Sequence, residues 1–120
     1  MSFARYAVLT LFLAAGLVAP ALAQQTRTYA AQGTNGDGSA YGGTVAIQQT
    51  GAASYRVRWQ VGNATIDGIG MTAGNIFTAA YMLDRQVGLV IYQLMPDGRL
   101  TGQWTLSGSA GVGTEVLTPR

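Results

Sequence analysis

Five carboxylates and seven arginines are the whole charged repertoire of this chain, which contains no His, no Cys and no Lys. That composition excludes Ser–His and thiol nucleophiles, Schiff bases, zinc held by imidazole or thiolate, and P-loop phosphate binding. Carboxylate chemistry and oxygen-ligand metals survive. Glu115, in Gly113-Thr114-Glu115-Val116-Leu117, is the carboxylate to watch. It shares the parity of Gly113 and Leu117, which turns it inward if the segment is extended. A carboxylate inside a protein must be paired or hydrogen-bonded, or its pKa rises. One reading holds Glu115 near a barrel mouth by tyrosine hydroxyls or backbone N–H groups. The other pairs it with Asp67 or Asp97 as acid and base for glycoside hydrolysis. Asp67 belongs to an outward face and Asp97 to a turn, so no catalytic residue is assigned and the chain is expected not to be an enzyme.

Gly33-Thr34-Asn35-Gly36-Asp37-Gly38 echoes a calcium loop. Its first ligand position is Gly33, and Thr44 stands where the closing bidentate Glu belongs. It reads instead as a Gly/Asn/Asp hairpin loop. No metal ligand set and no cofactor are expected.

The elements that must position these groups are strands. Tyr55, Val57, Trp59 and Val61 alternate with Arg56, Arg58 and Gln60, the period-two pattern of a strand with one buried face. Gly62-Asn63 fits a two-residue hairpin turn. The turn sets Val61 across from Ala64, Trp59 from Ile66, Val57 from Gly68 and Tyr55 from Gly70, with Arg58 opposite Asp67 on the other face. Gly74-Asn75 repeats that turn, and Pro96-Asp97-Gly98 suits a three-residue hairpin loop with a left-handed glycine. That loop sets Leu94 across from Leu100, Tyr92 from Gly102 and Val90 from Trp104. Eight strands are expected: Thr28–Gln32, Ala40–Gln48, Ser54–Val61, Ala64–Thr72, Ile76–Met82, Val87–Met95, Arg99–Leu106 and Gly113–Thr118.

On the inward parity, bulky residues alternate with glycine. Tyr55 falls beside Gly70, Tyr81 beside Gly68 and Tyr92 beside Gly102. A ring over a neighbouring glycine restores buried area while the missing side chain lets the sheet curl. The expected fold is therefore all-β: an antiparallel meander closing into a small barrel, its interior filled by side chains and anchored by Trp59 and Trp104.

Residues 1–23 have a charged head, an apolar run from Ala7 to Ala19 and the closing Pro20-Ala21-Leu22-Ala23, the plan of a secretory signal peptide. The run is shorter than the ~20 apolar residues of a membrane span. No later stretch is long and apolar enough to span. Cleavage after Ala23 would leave residues 24–120 as a single domain with six Arg against five acids. That balance is too even for a nucleic-acid binder. An exported location, periplasmic or secreted, follows, with stability resting on packing and not on disulfides.

Two surfaces could meet a partner. Arg56 and Arg58 form a polar stripe, read first as a solvated face with the Asp67 pair. The strand from Val87 to Met95 is apolar on both parities, so Leu89 and Ile91 face outward and need cover. Asn63-Ala64-Thr65 matches a glycosylation sequon but lies in a tight turn.

The run Ala31-Gln32-Gly33-Thr34-Asn35-Gly36-Asp37-Gly38-Ser39-Ala40-Tyr41-Gly42-Gly43 resembles the opening of small exported bacterial proteins often labelled "fibronectin-binding protein". Tyr55-x-Val57-x-Trp59, Gly68-x-Gly70, Gly88-x-Val90-x-Tyr92, Asp97-Gly98-x-Leu100-x-Gly102-x-Trp104 and Gly113-Thr114-Glu115-x-Leu117 extend the likeness over nearly all of residues 24–120. Ala79 and Ala80 depart from it, standing where larger β-branched residues are usual. The resemblance implies an exported binding protein. The expected function is a non-enzymatic binding or adhesion module for an extracellular or envelope protein. The alternatives are a small-molecule carrier in the manner of lipocalins and avidin, and a periplasmic inhibitor or envelope structural protein.

Overall fold

A computed structural model describes residues 25–120. The signal peptide expected over residues 1–23 lies outside the described residues. Eight strands follow one another: β1 (Thr26–Thr34), β2 (Ala40–Gln49), β3 (Ser54–Val61), β4 (Ala64–Ala73), β5 (Ile76–Leu83), β6 (Gln86–Leu94), β7 (Leu100–Leu106) and β8 (Gly113–Pro119). Each pairs antiparallel with the next, and β8 closes on β1, so the meander is a closed barrel. Closure removes every free sheet edge.

Turn chemistry sets the registers. Gly62 and Gly74 carry φ of +59° and +61° at the first position of two-residue turns, where the conformation suits glycine. The β3–β4 ladder then runs Val61↔Ala64, Trp59↔Ile66, Val57↔Gly68 and Tyr55↔Gly70, with Arg58↔Asp67 outside, as the alternation predicts. Gly98 has φ +90°, and β6 and β7 pair Leu94↔Leu100, Tyr92↔Gly102 and Val90↔Trp104. The β1–β2 loop has the same build. In both loops a central Asp accepts from a backbone N–H two residues on, Asp37 from Ser39 at 2.9 Å and Asp97 from Arg99 at 3.0 Å. Asp37 also accepts from the Ser39 hydroxyl at 2.6 Å, which commits its carboxylate to the hairpin.

The waist of the barrel is solid. Val45, Val57, Val90, Tyr92 and Leu117 are fully buried, with Ala31, Ile47, Trp59, Phe77, Ala79 and Leu100 around them. The ends depart from the expectation of a filled interior. A cleft of about 300 Å³ opens at the end holding Arg27, Tyr29, Tyr55 and Phe77. A second, of about 230 Å³, lies at the end of Tyr41, Trp59, Tyr81 and Trp104. Trp104 is only partly buried there, so it walls the mouth while Trp59 anchors the core.

The rings also lean differently from the simple cross-strand picture. Tyr81 is level with a glycine on either side, Gly68 and Gly88, and its ring lies over Gly88. Gly70 is covered by the Phe77 ring, not by Tyr55, which stands edge-on to Phe77 at 5.3 Å. Side chains lean along the strand, so a ring can cover a diagonal neighbour instead of its direct partner.

Candidate functional site

The inner residue of β8 at the second end is Glu115, and the strands on both sides of it present glycine at its level. Gly33 of β1 and Gly102 of β7 each pair with Glu115. One strand further out, Tyr41 pairs with Gly33 and Tyr92 with Gly102. A Cβ on Gly33 would lie 2.5 Å from the Tyr41 hydroxyl, and one on Gly102 would lie 2.8 Å from the Tyr92 ring. Both phenols therefore cross ground that any larger residue would occupy.

They end on the same carboxylate. The Tyr41 hydroxyl donates to Glu115 Oε1 at 2.8 Å, and the Tyr92 hydroxyl donates to Oε2. From β3, Trp59 Nε1 donates to Oε2 at 3.1 Å and approaches the Tyr92 oxygen at 3.3 Å. Glu115 is 4 % exposed. It is thus a buried carboxylate met by three neutral donors and by no cation: the ion pairs among the described residues are Arg58–Asp67 and Arg99–Asp97.

The electrostatics follow from that geometry. Burial, then the Glu115 charge and its hydrogen bond, pushes the Tyr41 and Tyr92 phenols far above their ordinary pKa. Tyr81, which does not bond Glu115, is pushed up to about 12 by burial and then by the same charge. A phenol beside a fixed anion resists becoming one.

The walls of the cleft are two aromatic pairs. Trp59 and Tyr81 stand 5.1 Å apart and tilted, and Tyr41 meets Trp104 edge-on at 6.2 Å. Trp104 covers Gly113 and donates to the Thr114 carbonyl at 3.3 Å. Ile66, Val61 and Leu83 complete an apolar lining.

Of the residues singled out in the sequence, Trp59, Trp104, Tyr92, Gly102 and Glu115 come together at this end. Tyr55, Gly68 and Gly70 serve the wall and the opposite end. Asp67 does not join Glu115; it is held outside by Arg58 at 2.8 Å, whose hydrogen bond lowers its pKa. Asp97 sits in the β6–β7 turn against Arg99. The acid–base pair that glycoside hydrolysis requires is not assembled from these residues. Tyr41 and Tyr81 went unmarked as site residues, although Tyr41 shares the inward parity of Gly43 and Tyr81 the level of Gly68.

Arg56, Leu89 and Ile91 lie on the outer face. Ile69 (72 % exposed), Ala80 and Leu89 (52 %) form one row across β4, β5 and β6, and Met71, Thr78 and Ile91 (58 %) form the next. Met82 and Val87, paired and both exposed, extend the patch. Arg56 stands beside Ile69 at its border with β3.

No protein-family model matches this chain, and a search of curated proteins returns no match.

Proposed function

We propose that this chain is an exported, non-enzymatic binding module that engages an envelope or extracellular protein through the outer face of β4, β5 and β6. The exposed Ile69 and Leu89, flanking Ala80 in one row, and Met71 and Ile91, flanking Thr78 in the next, carry the reading. Large apolar residues grouped on one outer face are the mark of an interaction surface. On β3 the outward residues are Arg56, Arg58 and Gln60, which supply a polar rim of the kind that borders such interfaces. A closed barrel has no edge to lend to a partner strand, so recognition falls to side chains on its faces.

The test is capture from envelope and extracellular-matrix extracts by residues 24–120, in parallel with Leu89→Asp and Ile91→Asp. Both positions are exposed, so each variant should keep stability within about 0.5 kcal/mol of the parent while losing the captured protein. Equal capture by parent and variants would refute the assignment. A concentration-dependent dimer abolished by the same substitutions would assign the face to a second copy of the chain instead.

A further inference from the structure

We propose that the cleft at the Glu115 end is a binding site for a small primary organic ammonium, whose charge is read by Glu115 and whose body is held between the Trp59–Tyr81 and Tyr41–Trp104 ring pairs. This site is separate from the outer face of β4–β6 and does not depend on its role. Three observations point the same way. The first is charge: Glu115 is buried with neutral donors only, and none of the arginines lines the cleft. The second is valence. An ionised carboxylate offers about four lone-pair sites. Oε2 takes Tyr92 and Trp59, whereas Oε1 takes Tyr41 alone. One acceptor site therefore remains on Oε1, and an N–H donor would fill it with a charge-assisted bond.

The third is the wall. Aromatic faces attract cations through the ring quadrupole, most strongly where water is excluded. Here five aromatic residues, Tyr41, Trp59, Tyr81, Tyr92 and Trp104, line about 230 Å³, with Ile66, Val61 and Leu83 left to receive an apolar body. The space is below the roughly 300–1,000 Å³ of sites for drug-sized ligands, which sets the ligand at about ten non-hydrogen atoms. A neutral ligand would satisfy the walls but leave the anion unmatched. An anionic one would bring a second negative charge to a buried carboxylate.

The probe is 2-phenylethylammonium, with 2-phenylethanol as its neutral counterpart and phenylacetate as the anionic one. The chain has two tryptophans, Trp59 and Trp104, and both line the cleft, so intrinsic fluorescence reads occupancy directly. The ammonium should bind about tenfold or more tightly than the alcohol, with phenylacetate weakest. In Glu115→Gln the preference for the ammonium should collapse toward none. Should that variant fail to fold, Tyr81→Leu, which leaves every Glu115 hydrogen bond in place, should weaken the ammonium by about fivefold or more through loss of one ring. Equal binding of ammonium and alcohol, no fluorescence response at millimolar ammonium, or unchanged affinity in either folded variant would overturn the proposal.

Discussion

Tyr41 and Tyr92, from strands on opposite sides of β8, place their hydroxyls on the two oxygens of the single Glu115 carboxylate. Each reaches it across a strand whose inward residue is glycine, Gly33 in one case and Gly102 in the other. The glycines thus do more than curve the sheet. They open the two lanes along which two phenols reach one buried carboxylate.

Gly102→Ala should close one lane. The new methyl would press on the Ile91 carbonyl oxygen and come within 2.8 Å of the Tyr92 ring. Overpacking of this kind costs about 1–3 kcal/mol. Gly42→Ala is the control, since its Cβ would meet nothing nearer than the Ala31 carbonyl oxygen at 3.6 Å. Equal urea midpoints for the two variants would contradict the lane argument.

The carboxylate network should behave as a unit. Tyr92→Phe and Glu115→Gln should each destabilise the barrel by about 1–3 kcal/mol, because each leaves a buried polar group short of a partner. Their double variant should fall short of the sum by about 0.5–3 kcal/mol. Strict additivity in chemical denaturation would mean that the two groups do not depend on one another.

The two tryptophans should differ. Trp59 is 5 % exposed and its indole N–H is spent on Glu115, so Trp59→Ala should cost about 3–5 kcal/mol. Trp104 is only partly buried at the mouth, and Trp104→Ala should cost about 1–2 kcal/mol. A denaturant midpoint for Trp59→Ala within noise of the parent would be incompatible with its place in the core.

The β5–β6 turn holds spare stability. Asp84 and Arg85 have φ of 50° and 67°, left-handed values on residues that carry a Cβ. Arg85 gains nothing obvious from this conformation, which costs an L-residue about 1–2 kcal/mol. Glycine would remove that strain at an entropic cost of about 0.5–1 kcal/mol. Arg85→Gly should therefore raise stability by about 0.5–1 kcal/mol and the melting temperature by about 2–8 °C. A lowered melting temperature would show that the arginine side chain matters more than its backbone.

Alkali should unfold the barrel early. Tyr41, Tyr81 and Tyr92 are all raised above the ordinary value of 10.0, by burial first and the Glu115 charge second. The folded chain keeps these phenolic protons after the unfolded chain begins to release them. Their contribution is fully present below pH 10 and falls as pH rises, for Tyr81 across the interval from 10 to about 12. Denaturant midpoints at successive pH values should drop over that interval, and less so in Tyr81→Phe. A flat profile would contradict a buried phenol–carboxylate cluster.

Much of the architecture was legible from local rules. Period-two alternation gives the face of each residue, and a two- or three-residue turn leaves one register open to a hairpin. Trp59↔Ile66, Arg58↔Asp67 and Tyr92↔Gly102 could therefore be written down from neighbouring residues alone. The outward Leu89 and Ile91, and the inward Glu115, followed from the same parity; whether tyrosine hydroxyls or backbone N–H groups would hold that carboxylate did not. Nor did which tyrosines would do the holding.

What tertiary structure alone decided is everything that depends on height around the closed barrel. Parity says in or out, but it does not say how far along the axis a side chain lies, because that is set by the stagger of all eight strands at closure. The β1–β8 pairing brings Gly33 level with Glu115, and only then can Tyr41 of β2, Trp59 of β3 and Tyr92 of β6 meet on one carboxylate. The chain by itself determined a glycine-punctuated set of hairpins with one inward acid. Closing the ring turned that acid into the floor of an aromatic cleft, since groups far apart in sequence share a level only once the sheet has joined its own edge.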